Sequence, residues 1–357
     1  MADRFSATLV GSIAVFLWIG FMAPNSGRAD TPAQAIEQGS EAIREGDYAG
    51  AIRHLNHAIY LNAGFPSAYH FRAIAYREQR DYDQAIADSS EAIRLKPDYA
   101  EAYYQRGLTR AVKGEPARAI EDFTRSVRLD PTFAPAYAQR GSVWLNLGTY
   151  SQVIADSSKA IRLMPNYASA YCYRGLALAA QGDYGRAIAD FSQVTRLDPH
   201  SLLAYQYRAF ACNAFGEFGR AISDYDHVIQ THPSYANTYN GRGFADAACG
   251  AYDQAIIDCT KAIRLNPDYA EAYNNRGYAH LHQGDWDQAI ADFSTAIRLK
   301  ADYADAFYNR SFALAALYEF AKARADARSA LRLNPDCAWE FYQHRWSENA
   351  GGPFPAK

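Results

Sequence analysis

The sequence predicts an all-α protein built from a tandem helix–turn–helix unit, and three observations carry that prediction. Prolines at Pro97, Pro131, Pro165, Pro199, Pro233, Pro267 and Pro335 keep one 34-residue register, with Ala301 in the one missing place. Apolar residues recur twice per unit at three- and four-residue steps, the spacing of one helix face. Between the two runs a glycine recurs, at Gly46, Gly114, Gly148, Gly182, Gly216, Gly250 and Gly284, where a chain must reverse through a left-handed residue. With the proline counted as position 32, the units run 32–65, 66–99, 100–133, 134–167, 168–201, 202–235, 236–269, 270–303 and 304–337, without insertions.

The first helix opens on an aromatic at position 4, from Tyr69, Tyr103 and Tyr137 through Tyr273 to Phe307. Position 8 is small: Gly107, Gly141, Gly175, Gly243 and Gly277, with Ala73, Ala209 and Ser311 as variants. After the turn glycine at position 15 an acid usually follows, as at Asp47, Asp81, Glu115 and Asp285, placing negative charge where the second helix begins. Position 17 is aromatic from Tyr48 through Trp286 to Phe320; Pro116 replaces it once, at a first-turn site that tolerates proline. Position 20 is alanine except for Val153, and the position-32 proline stops the helix. In an antiparallel pair folded about position 15, residues whose numbers sum to about 31 meet: 4 with 27, 8 with 24, 11 with 20. A large residue then faces a small one, and the unpaired apolar faces need neighbouring units.

A charged pair follows the same geometry. Position 7 is Arg72, Arg106, Arg140, Arg174, Arg208, Arg242, Arg276 and Arg310, and position 23 is Asp88, Asp122, Asp156, Asp190, Asp224, Asp258, Asp292 and Asp326. The first unit carries Gln38 and His54 instead, so both partners are lost together. The pattern predicts a bidentate pair within each unit rather than a ladder of ligand-binding charges.

Small residues at 8, 20 and 27, aromatics at 4 and 17, and proline at 32 resemble the tetratricopeptide repeat over residues 32–337. The resemblance implies a right-handed α-solenoid of nine antiparallel helix pairs. The chain departs from the family's frequent tryptophan at position 4 and from its leucine at position 7, where arginine stands. In this family the first helices line a concave groove at positions 2, 5, 6, 9 and 12 or 13. That assigns a peptide-binding lining to Tyr104, Gln105, Gln139, Tyr173, Tyr207, Asn240, Asn274, Asn275, Tyr308 and Asn309. Amides can bond both the donor and the acceptor of a peptide backbone, and tyrosines add area with a polar tip. Positions 2, 5 and 6 of units 66–337 hold no Lys or Arg, so the family's carboxylate clamp for chaperone tails is absent.

Residues 1–29 read as an export leader: Arg4, an apolar run from Ala7 to Ala23, then Gly27 and Ala29 at the subsites a signal peptidase requires. Retained, the same run with Phe16, Trp18 and Phe21 would be a membrane anchor. Either way the body is expected outside the cytoplasm, periplasmic or secreted, or anchored at the inner membrane. Residues 30–31 form a short linker, 338–349 a capping helix using Trp339, Phe341 and Tyr342, and 350–357 a tail, which leaves no room for an appended catalytic domain. A net charge of −3 gives no reason to expect nucleic acid. The five cysteines are odd in number and lack CxxC spacing, as packing residues would. His54 with His57 and His280 with His282 lack a third ligand nearby, and no phosphate loop or nucleophile elbow occurs. No metal, cofactor or catalytic residue is therefore expected. The sequence points to a non-catalytic adaptor for protein or peptide partners; the alternatives are a membrane-anchored organiser and a substrate-recruiting accessory of an enzyme.

Overall fold

The computed structural model describes residues 31–335. The leader, the segment 338–349 and the tail lie outside them. The described residues form eighteen helices and no strand, as an all-α solenoid of helix pairs requires. Backbone packing divides the chain into Met1–Asp183 and Tyr184–Lys357. The first unit holds α1 (Pro32–Glu45), α2 (Tyr48–Leu61), α3 (Pro66–Glu78), α4 (Tyr82–Leu95), α5 (Ala100–Val112), α6 (Pro116–Leu129), α7 (Ala134–Asn146), α8 (Tyr150–Leu163) and α9 (Ala168–Ala180). The second holds α10 (Tyr184–Leu197), α11 (Leu202–Phe215), α12 (Phe218–Thr231), α13 (Ala236–Ala248), α14 (Tyr252–Leu265), α15 (Ala270–Gln283), α16 (Trp286–Leu299), α17 (Ala304–Ala316) and α18 (Phe320–Leu333). The division separates α9 from α10, so Arg174 and Asp190 fall on opposite sides of it.

Helix boundaries follow local chemistry. The seven turn glycines all have φ between 71° and 90°. Arg80 (φ 65°) and Tyr318 (φ 60°) hold the same conformation without being glycine, at a cost of about 1–2 kcal/mol for an L-residue. Asp47 and Asp81 cap the second helices of their repeats by accepting from Gly50 N–H (2.8 Å) and Gln84 N–H (3.2 Å). Glu115, Glu217 and Asp285 make no such bond and contribute charge alone. Before Pro97, Lys96 leaves the helix at φ −135°, as the proline ring demands of the residue preceding it. Lys300 exits at φ −137° although Ala301 follows, so packing keeps the exit where the proline is lost.

Positions 8 and 24 meet as the hairpin geometry predicts. A Cβ added to Gly107 would lie 2.8 Å from Phe123, and one on Gly277 would lie 2.8 Å from Phe293. The same test at Gly243 meets Cys259 Sγ at 2.8 Å, which gives that cysteine its packing role. Repeat 202–235 has Ala209 at position 8, and its Tyr225 ring leans instead toward Gly241 of the next repeat, where an added Cβ would lie 2.5 Å away.

The arginine–aspartate pairs form within both units. Arg140 donates from Nε and one terminal nitrogen to the two oxygens of Asp156 at 2.8 and 2.7 Å. Arg72, Arg106, Arg208, Arg242, Arg276 and Arg310 hold Asp88, Asp122, Asp224, Asp258, Asp292 and Asp326 in the same two-toothed way. The remaining guanidinium nitrogen reaches back to the preceding repeat: Arg140 to Thr124 (2.9 Å), Arg276 to Thr260 (3.1 Å), Arg310 to Ser294 (2.9 Å). Each guanidinium also lies over the position-4 ring, 5.7 Å from the Tyr137 centroid in the case of Arg140. Substituting Arg140→Ala leaves the buried Asp156 carboxylate without its cation. The expected loss is about 3 kcal/mol in urea unfolding; a loss below ~0.5 kcal/mol would show that the pair is dispensable.

One repeat departs from this pattern. Arg242 bonds Asp226 of the preceding repeat as well as Asp258, and Asp246, only 6% exposed, lies beside the same group. Burial and the Asp258 carboxylate push the Asp246 carboxyl up to about 6, and its Oδ2 has no hydrogen-bond partner. A carboxyl whose folded value exceeds its ordinary 3.8 favours the fold when protonated, so this contribution is lost as pH rises from about 4 through about 6. Asp246→Asn is therefore expected to raise the unfolding free energy by about 1–3 kcal/mol at pH 7.5 and to flatten its decline across that window. Parallel pH profiles for the two proteins would contradict this.

Candidate partner-binding face

Within each unit, successive first helices touch one another: α1 with α3, α3 with α5, α5 with α7, α7 with α9, then α11 with α13, α13 with α15, α15 with α17. Successive second helices among the described residues do not pack comparably. The first-helix side of each unit is thus its closer-packed, inner side.

The residues read from the sequence sit on these helices, but deeper than an open lining requires. Tyr104, Gln105, Asn274 and Tyr308 are buried, and Gln139, Tyr173, Tyr207, Asn240, Asn275 and Asn309 are half-buried. Tyr104 packs on Phe133 and Phe123 with ring centroids 5.0 and 5.8 Å away, and burial pushes its phenol above the usual range. Gln105 accepts from Arg77. Gln139 is hydrogen-bonded to Tyr167 and Tyr173, and the Tyr207 ring lies 5.6 Å from Phe191.

The second unit brings four of the amides together. Asn275 donates to Asn240 at 3.0 Å, Asn240 to the Tyr269 hydroxyl at 3.2 Å, and Asn309 to Asn274 at 3.1 Å. Positions 5 and 6 therefore lie in the seam between neighbouring first helices, where side chains bond across it. The open stripe is carried by positions 2, 9 and 13: Asn237, Phe244 and Ala248 on α13 are exposed, as are Leu203, Phe210 and Ala214 on α11. Position 9 reads Phe210, Phe244, Tyr278 and Phe312 along the second unit, but Ile74, Leu108, Ser142 and Leu176 along the first. The groove positions that the family resemblance implies include 2, 9 and 13, which lie seven and eleven apart on one helix face, whereas the residues assigned to the lining are those at 5 and 6.

Of the pair His280 and His282, the second ring is stacked among aromatics. The His282 ring lies parallel to Tyr252 at 5.2 Å and tilts on Tyr278 at 4.4 Å. His280 Nδ1 is 3.6 Å from Asp285. Among the described residues no group of three or more His, Cys, Asp or Glu side chains is placed to hold a metal ion.

Within each of the two units the fold is a helical-repeat scaffold whose first helices share one side. Family models described as tetratricopeptide repeat match residues 168–201, 270–303 and 100–133, and one described as TPR repeat matches 73–114 and 245–284. These matches and the fold show tetratricopeptide repeats within this chain, a fold that typically serves as a non-catalytic scaffold for protein–protein interaction. Among solved structures, PilF of Pseudomonas aeruginosa is 19% identical at a TM-score of 0.52, covering 58% of this chain and 94% of that one. A tetratricopeptide repeat protein from Parabacteroides merdae is 18% identical at a TM-score of 0.49, covering 70% and 98%. MamA from Desulfovibrio magneticus is 22% identical at a TM-score of 0.45, covering 48% and 96%. At such identities the likeness is one of fold. Among curated proteins none matches this chain.

Proposed function

We propose that this protein is an exported, non-catalytic adaptor that holds segments of partner proteins against the first-helix face of its repeats. The observation that carries the reading is the open stripe at positions 2, 9 and 13, whose large aromatics Phe210 and Phe244 face solvent while other phenylalanines, Phe123, Phe191 and Phe293, are fully buried. Exposed aromatic area of this kind is what interfaces bury. The position-7 and position-23 charges support the same division of labour, since their pairing leaves them to architecture. The seam residues Asn240, Asn274, Asn275 and Asn309 border the stripe and would orient a bound backbone with whatever hydrogen-bonding capacity their mutual bonds leave.

Export is supported by the leader's apolar run and by Gly27 and Ala29 before Asp30. Mature protein isolated from the cell envelope is expected to begin at Asp30; a terminus at Met1 or Ala2 would instead mean a retained anchor. The binding face is tested by placing a photo-crosslinking residue at Ala248, exposed on the first-helix stripe, or at Ala291, exposed on a second helix. Crosslinks to partner protein are expected from position 248 and not from position 291. Equal yields from both, or none from either, would sink the assignment.

A further inference from the structure

Position 9 of the second unit is aromatic at every repeat; Tyr278 and Phe312 are packed against neighbours, while Phe210 and Phe244 are exposed. Phe210 is 59% exposed and Phe244 is 44% exposed, the latter braced edge-on by Phe218 at 6.3 Å. Tyr278 continues the row on the next first helix, half-buried. Since α11, α13 and α15 pack successively, these rings recur once per helix, at the ~8–10 Å separation of packed helices.

That interval selects among peptide conformations. A β-strand returns to the same face every two residues, about 7 Å. A polyproline II segment returns every three residues, at about 9 Å, with its backbone carbonyls free of internal bonds. An α-helix also returns near 10 Å after two turns, but its carbonyls are spent on itself. Asn237 is exposed on the same stripe, with an amide to offer a carbonyl. Charge adds a second constraint. Positions 2, 5, 6, 9, 12 and 13 of repeats 202–337 contain no Lys or Arg but include Glu271 and Asp305. Glu271 lies 3.7 Å from Lys300, which balances its charge, so the net negative charge of this face rests on Asp305. Asp305 is exposed.

We propose that the aromatic row Phe210–Phe244–Tyr278 is a docking track for a proline-rich segment in the polyproline II conformation that carries Lys or Arg on its outer faces. This rests on the adaptor reading above and narrows it to one ligand class. Flat rings spaced one per ligand turn would each receive a proline, as aromatic-lined sites do for such helices.

The test uses the full chain and fluorescein-labelled peptides in anisotropy titrations: a Lys-Pro-Pro repeat, a Glu-Pro-Pro repeat, a Lys-Gly-Ser repeat, and an amphipathic Leu/Lys helix. The Lys-Pro-Pro peptide is expected to bind tightest. Phe244→Ala and, separately, Phe210→Ala are each expected to weaken it by about 10-fold with unchanged circular dichroism. Val112→Ala, exposed in the first unit, is expected to leave it unchanged. Equal binding of the Lys-Gly-Ser or Glu-Pro-Pro peptide, or indifference to both phenylalanine substitutions, overturns the proposal. Preference for the amphipathic helix also overturns it, and so does the absence of peptide binding while position 248 still crosslinks partners; in both cases the adaptor reading survives. Failure of peptides and crosslinks together overturns both.

Discussion

In seven repeats one guanidinium, that of Arg72, Arg106, Arg140, Arg208, Arg242, Arg276 or Arg310, sets three relationships at once. Its fork fixes the second helix against the first through both oxygens of the position-23 aspartate, its third nitrogen reaches the preceding repeat, and its plane lies over the position-4 ring. A forked hydrogen bond between planar groups tolerates little sliding or rotation, so the pair specifies register in a way that alanine-on-alanine contact cannot. The aspartates are buried, and a buried carboxylate is stable only while its partner is present. The repeated unit is thus less a helix hairpin than a hairpin plus the hydroxyl or amide offered by its neighbour: Asn56, Ser90, Thr124, Thr260 or Ser294. Repeat 202–235 shows how strongly that third contact is required. Ser192, in the usual place, accepts from Arg220 at 2.8 Å, and Arg208 turns to Thr195 at 2.7 Å instead.

Steric complementarity then works inside the frame that the arginine holds. Where position 24 is phenylalanine, position 8 is glycine; where position 8 is Ala73, position 24 is Ser89. The Tyr225 exception is informative because the fold absorbs it across the repeat boundary, through Gly241 and a hydrogen bond from Asn213 to the Gly241 carbonyl at 2.9 Å. Two turns break the local rule, with Arg80 and Tyr318 in a glycine conformation. Their strain is tolerated because the helices on either side are fixed by these longer-range contacts.

Much of this was legible in the sequence because a tandem repeat reports each structural constraint many times over. The turn glycines, the 8–24 contact and the position 7–23 pairing all follow from the register and from antiparallel folding about position 15. The third nitrogen of each arginine was not legible: a hydroxyl at position 25 of the preceding repeat means little until two hairpins are docked. The depth of Tyr104, Gln105, Asn274 and Tyr308 was missed for the same reason. One helix wheel cannot say whether a flank faces water or the next helix, and the close approach of successive first helices turns positions 5 and 6 into a seam. Asp246 was hidden because its environment is made by Asp226 and Asp258, which lie on two other helices.

Residues that architecture consumes and residues it leaves over can therefore be told apart position by position. Position 8 stays Gly, Ala or Ser throughout and is glycine wherever position 24 is phenylalanine, and position 7 is lost only together with position 23, so both are answerable to the fold. Position 9 runs from Ser142 and Leu176 to Phe210 and Phe244 while the helices that carry it start at the same repeat position and end within one residue of each other. A position that accommodates serine in one unit and phenylalanine in the other is not being set by the hairpin. Keeping a phenylalanine ring two-fifths or more in water forgoes burial that a core site would give, and the second unit does this on successive helices. Phe210 and Phe244 are accordingly the part of the second unit's inner face whose composition the scaffold does not explain, and contact with a partner is the condition under which that exposed area would be removed from water.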